Sequence, residues 1–190
     1  MDIRPLTVPG SFVLTPKIQR DNRGEFVEWF RADLLKKATG LDFSVAQANL
    51  SVSAKGTLRG IHFADVPPGQ AKYVMCSSGS IDDYVVDIRV GSPTFGAWDR
   101  ATISASERNA IVLDVGLGHA FLALEDNTTV TYLVTDHYTP HAEHAINPLD
   151  ADLGLTFSLP EGKLLLSEKD TVAPGFLAAK ATGLLPTWQS

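Results

Sequence analysis

The chain of 190 residues holds a single cysteine, Cys76. One thiol excludes an intrachain disulfide framework and a cysteine-rich zinc site. No apolar run approaches the roughly 20 residues of a membrane-spanning helix. Met1-Asp2-Ile3-Arg4-Pro5 opens no signal-peptide apolar region. Basic charge is in deficit, with 16 Lys and Arg against 22 Asp and Glu and a net charge of -6. A protein that grips nucleic acid or an anionic membrane by electrostatics needs the opposite balance. Internal repeats and low-complexity tracts are missing too. These absences leave a cytoplasmic globular protein as the expectation, with no nucleic-acid and no membrane partner.

The length fits one domain, expected over 1–190 with residues 136–190 as a loop and short-helix flap. Residues 1–19 contain Pro5, Pro9 and Pro16 and suit edge strands. The polar cluster Arg20 to Gly24 reads as a turn. Asp33 to Ala38 reads as a short helix stopped by Gly40. From 45 to 135 short strands alternate with Gly, Pro, Asn, Asp and Ser turns. The spacing predicts strands over 45–52, 57–63, 71–77, 80–89, 98–104, 110–115, 119–124 and 128–135. Such a series predicts an all-β antiparallel sandwich or barrel. Phe176 to Thr182 predicts one more helix, ended by Gly183.

Several polar residues fall on these strands. Period two puts Gln47 and Asn49 on one face, Lys72 with Val74 and Cys76, and Tyr132 with Val130 and Val134. It puts Asp83 with Asp87, and His119 with Phe121. It also puts His62 on the face of Leu58 and Gly60 and points Arg59 the other way. Only a bulge at Gly60 would re-aim one of the two. Taken alone, His62 reads as a core histidine, and Gln47, Lys72 and Asp87 read as solvated outer-face residues. If such residues turn inward on a small barrel, they make a ligand pocket at its mouth. His137, His141 and His144 have spacings a helical metal site could use, but Pro140 interrupts any such helix.

Ordered motifs run through most of the chain. They are Asp21-Asn22-Arg23-Gly24-Glu25-Phe26-Val27-Glu28, Gln47-Ala48-Asn49, Leu58-Arg59-Gly60-Ile61-His62, Gly79 to Arg89, and Gly91 to Gly96. They continue with Gly118-His119-Ala120-Phe121, Tyr132, Thr135 to Pro140, and Leu166 to Asp170. On these residues the chain resembles the dTDP-4-dehydrorhamnose 3,5-epimerase family, cupin-type epimerases of dTDP-4-keto-6-deoxyhexoses. The resemblance implies a jelly-roll barrel, no metal, no cofactor and a homodimer with an exchanged N-terminal strand. It implies His62 as catalytic base, Asp170 as its dyad partner, Tyr132 as general acid and Lys72 near the sugar carbonyl. It implies Arg59 at the diphosphate and sugar, and Arg23 and Glu28 as nucleotide contacts that reach from a partner subunit. It implies Gln47, Asn49, His119, Glu143 and Lys169 as further substrate contacts, and Tyr138 as the ring that stacks on thymine.

The turn Asp114-Val115-Gly116-Leu117-Gly118, together with Gln19 and His137, departs from the family's usual pattern. These departures resemble the antibiotic-deoxysugar branch. The expected reaction is inversion at C5, alone or with C3. The alternatives are a C3-only epimerase of the same family, a metal-dependent cupin and a non-catalytic sugar-nucleotide-binding barrel. A metal cupin normally offers two histidines one residue apart, and His62 has Ala64 in that place.

Overall fold

The computed structural model describes residues 1–189. Among these residues thirteen strands carry the fold. They are β1 (Asp2–Pro5), β2 (Ser11–Thr15), β3 (Ile18–Asp21), β4 (Gly24–Val27), β5 (Gln47–Ser53), β6 (Leu58–Ala64) and β7 (Lys72–Ser78). The rest are β8 (Ser80–Val86), β9 (Trp98–Ser104), β10 (Ala110–Leu113), β11 (Gly118–Ala123), β12 (Thr128–Val134) and β13 (Glu143–Ala145). Six of them form one sheet in the order β1-β2-β10-β7-β12-β5. Five form a second sheet, β13-β6-β11-β8-β9, and β3 pairs only with β4. The pairings within these sheets are antiparallel. Two such sheets face to face make a cupin-type jelly roll, the all-β architecture expected from the strand spacing.

Alternation along the strands sorts the core into three layers. Val74, Cys76, Ile111, Leu113 and Val130 from the first sheet meet Ile81, Val85, Ile103 and Phe121 from the second. The outer face of the first sheet is covered by α1 (Ala32–Thr39), whose Leu35 packs with Phe43, Tyr73 and Leu133. Gly40 ends α1 at φ 81°, and its N–H returns to the Lys36 carbonyl. A glycine adopts that left-handed cap without steric cost. On the outer face of the second sheet Leu58, Tyr84 and Leu122 pack against Ile146, Leu153, Phe176 and Leu185. Phe176 opens α3 (Phe176–Ala181), close to the bounds the sequence predicts. At about 1.5–3 kcal/mol for each fully buried large apolar side chain, these layers dominate the stabilisation.

Three expectations need correction. Asp87 is fully buried rather than solvated. Its carboxylate accepts hydrogen bonds from Arg89, Ser92 and Thr94, which turns the chain and ends β8 at Val86 instead of continuing to 89. The third concerns β6. Arg59 lies opposite Phe121 and His62 opposite His119, so three steps on β6 match two on β11. This bulge contains Gly60, at φ 116°. A Cβ there would run into the His119 carbonyl oxygen and lie 2.7 Å from the Ala120 Cα. The bulge moves His62 off the face of Leu58, which belongs to the outer layer, and onto the face of Arg59. Among the described residues no helix is long and apolar enough to cross a membrane.

Gly60→Ala combines a strained backbone, costing about 1–3 kcal/mol, with a backbone clash that only a shift of β6 relieves. The expected result is a clearly lower urea midpoint than wild type. An unchanged midpoint would show that the bulge tolerates a side chain.

Candidate active site

Along β7 the inward positions run Lys72, Val74, Cys76, and along β12 Val134, Tyr132, Val130. One end of the inter-sheet space is therefore filled by apolar side chains. The other end is lined by polar ones. There a cavity of about 380 Å³ is bounded by Gln47, Asn49, His62, Lys72, Tyr132 and Glu143, with Gln70, Tyr138, His144 and Lys169. A smaller recess of about 160 Å³ adjoins it, where Arg59, His119, Phe121 and Ser51 join His62, Lys72 and Tyr132. A third opening of about 340 Å³ lies between β6 and α2 (Glu168–Thr171), with Arg59, His62, Lys169 and Asp170 on its walls. His62 borders all three.

The His62 ring is held by its Nε2, 2.7 Å from Asp170 Oδ1. Asp170 is 3% exposed, so the carboxylate side of this contact is buried while the His62 ring stays open to the cavity. Ser167 caps α2 by accepting from the Asp170 N–H, which fixes the carboxylate's place. Burial pushes the Asp170 pKa up. Hydrogen bonds from His62, Ser167 and the Gly60 backbone, with the His62 charge, outweigh burial and leave it below the ordinary carboxylate value. A second His–carboxylate pair lies deeper: both Asp83 carboxylate oxygens are 2.9 Å from His119 Nε2. Burial there wins over the His119 and Lys72 charges and raises the Asp83 pKa.

Lys72 is 7% exposed, so its reading as a solvated residue is overturned. Burial lowers its pKa against the opposing pull of Glu143 and Asp83, and no hydrogen bond holds its ammonium among the described residues. Gln47 also faces the cavity, donating to Asn49 Oδ1 at 2.7 Å and accepting from the Tyr138 N–H at 3.0 Å. The Tyr132 hydroxyl is held protonated by burial and by the Glu143 charge, with Arg59 opposing.

Eleven of the residues singled out from the sequence thus border one connected region: His62, Tyr132, Asp170, Lys72, Gln47, Asn49, Arg59, His119, Tyr138, Glu143 and Lys169. Arg23 and Glu28 do not. Arg23 sits on the β3–β4 hairpin paired with Asp21 at 2.7 Å, and Glu28 pairs with Arg31 at 3.1 Å. Gln70, Ser51 and the pairing of Asp83 with His119 had no signal in period or spacing, because nothing local marks which turn residue reaches a distant cavity. His144 bonds Asp65 at 2.7 Å instead of joining His137 and His141 around a metal. Among the described residues no group of three or more His, Cys, Asp and Glu is placed to hold a metal ion.

Fold and site together define a cupin-type barrel with a carboxylate-held histidine, a tyrosine and a buried lysine in one cavity. The family model described as dTDP-4-dehydrorhamnose 3,5-epimerase matches residues 5–177. A dTDP-4-dehydrorhamnose 3,5-epimerase of Mycolicibacterium smegmatis is 49% identical over 99% of this chain and 92% of its own. The solved RmlC epimerase of Mycobacterium tuberculosis superposes with a TM-score of 0.96 at 48% identity, covering 99% of this chain and 94% of that one. A solved 3'-monoepimerase of Streptomyces bikiniensis, ChmJ, is 46% identical, with a TM-score of 0.92 over 98% of this chain and 93% of that one. The chain belongs to the dTDP-4-dehydrorhamnose 3,5-epimerase family, and it is an isomerase.

Lys72→Met keeps the side-chain volume and removes a buried charge that no hydrogen bond holds among the described residues. Stability is expected to hold or rise by roughly 0–2 kcal/mol at neutral pH. Urea unfolding checks it, and a large loss would mean the ammonium has a stabilising partner.

Proposed function

We propose that the protein epimerises a dTDP-4-keto-6-deoxyhexose at C5, alone or with C3, with His62 as base and Tyr132 as acid. The observation that carries this is the 2.7 Å His62–Asp170 contact opening onto the cavity that also holds Tyr132 and Lys72. The ketone acidifies the C–H bonds on both neighbouring carbons. Neutral His62 takes the proton, and Asp170 orients the ring and stabilises the imidazolium. Negative charge then grows on the ketone oxygen. Lys72 lacks a hydrogen-bond partner in the resting site, so its attraction to that oxygen is greater in the transition state than before it. Tyr132, kept protonated by burial, returns a proton to the opposite face. Arg59 and Lys169 supply the donors a diphosphate needs. The ChmJ structure supports the pair: it is a variant with one histidine and one tyrosine replaced, bound to dTDP. Those two positions are as far apart in that chain as His62 and Tyr132 are here.

A homodimer working in the cytoplasm is part of this reading. Arg23 and Glu28 stand away from the cavity, on or beside a hairpin that pairs only with itself. Leu50 and Val52 on the edge strand β5, with Phe26 on that hairpin, are more than half exposed. A second copy would cover such apolar surface and bring its own hairpin residues. The chain's mass in solution, measured by light scattering, is expected at twice the monomer, and a monomer active at full rate would overturn this part.

Solvent deuterium exchange into a dTDP-4-keto-6-deoxyhexose, read by NMR, tests the reaction and says which carbon reacts. Label is expected at C5, alone or with C3. Label at C3 alone would make the protein a C3 epimerase, and no label at either carbon would sink the reading. His62→Ala is expected to slow exchange roughly 10²–10⁴-fold. Tyr132→Phe should retain exchange and lose inversion.

A further inference from the structure

Gln70 has no role in the chemistry above, yet it lines the same cavity. It lies in the turn after Pro67-Pro68-Gly69, two residues before Lys72. Its side-chain Nε2 donates two hydrogen bonds, to Glu143 Oε1 at 3.2 Å and to the Asp136 carbonyl at 3.2 Å. One amide thereby ties together three segments. They are the approach to β7 with Lys72, the exit of β12 with Tyr132, and β13 with Glu143. The backbone of β13 is fixed by pairing with β6, Glu143 opposite Ala64 and Ala145 opposite His62. Among the described residues the Glu143 carboxylate has no hydrogen-bond partner other than Gln70.

We propose that Gln70 is a positioning residue, which holds the Glu143 carboxylate against the cavity wall shared by Tyr132 and Lys72, where its charge acts alongside burial. The inference rests on the epimerase reading for its catalytic consequence but not for its physical content. A carboxylate beside a phenol and an ammonium favours the proton on each. The Glu143 charge does act upward on both groups. Other ionisable groups face the same space: His62 and Arg59 from β6, His119 from β11, Lys169 from α2, His144 beside Glu143, and Asp83 behind Lys72. None of their side chains is tied by Gln70, so among the charged side chains of the cavity a change at Gln70 acts directly on Glu143 alone. The second bond, to the Asp136 carbonyl, steadies the start of the loop that carries Tyr138.

Two substitutions separate positioning from mere support. Gln70→Met keeps the length and removes both donors. Glu143 is then free to swing toward water, and Tyr132 and Lys72 lose protons more easily. The alkaline limb of the kcat profile is expected to move to lower pH, with kcat down roughly 10-fold and the urea midpoint close to wild type. Gln70→Glu puts a second carboxyl against Glu143. Two carboxyls at that distance share one proton, with one pKa strongly raised. This variant is expected to approach wild-type kcat at acid pH, where the shared proton rebuilds the tie. It should lose activity as pH rises and the proton leaves. NMR titration of ring-labelled Tyr132 without substrate is independent of turnover, and its midpoint is expected to fall in Gln70→Met. If wild type fails to exchange deuterium, the epimerase reading falls and this titration still decides the role of Gln70. An unshifted Tyr132 midpoint, or an activity loss with the wild-type pH profile, would overturn the proposal.

Discussion

The close approach of two backbones at Gly60 is the constraint on which the site depends. The space that a Cβ would need is filled by the His119 carbonyl and the Ala120 backbone. A glycine lets β6 bulge while it stays paired with β11. The bulge breaks the two-residue alternation once, between Arg59 and His62. Leu58 can then serve the outer apolar layer while Arg59 and His62 both face inward. Without it, one of the two would be spent on the wrong side of the sheet.

From this follows the division of the inter-sheet space into an apolar end and a polar end. The polar end concentrates buried charge: Lys72, Asp83 with His119, and Asp170 with His62. Buried charges contribute little to stability, and unpartnered ones oppose it. The pairing is uneven in a way that suits proton transfer. The carboxylates are satisfied by the imidazoles, so both rings are oriented. The Lys72 ammonium has no hydrogen-bond partner among the described residues, which on the proposed mechanism leaves it for the charge that grows on the ketone oxygen. The apolar layers on both outer sheet faces hold the framework that tolerates this arrangement.

The C-terminal third acts on both levels. Its Ile146, Leu153, Phe176 and Leu185 close the outer layer over the second sheet. The same segment runs along the edge of β6, where Leu165 bridges Thr57, and carries Ser167, Lys169 and Asp170 so that Asp170 meets His62 across 108 positions of sequence. Packing energy spent on the outside of the sheet thus fixes the orientation of the ring on its inside. The rim is built likewise from distant parts, with Gln70 joining the ends of β12 and β13.

Composition and alternation determined the all-β class, the positions of eight strands to within a few residues, and the two helices whose ends carry glycine. Turn chemistry and period two are local, so a sequence states them directly. The family resemblance that the ordered motifs carry also implied eleven residues that border one region. The face of His62, the burial of Lys72 and Asp87, and the partners of His119, His144 and Gln70 were decided only by the tertiary structure. Each depends on a contact between segments far apart in the chain, or on one residue inserted into a ladder. Local pattern carries no information about either, because the free energy that selects them comes from how the two sheets and the C-terminal segment close on one another.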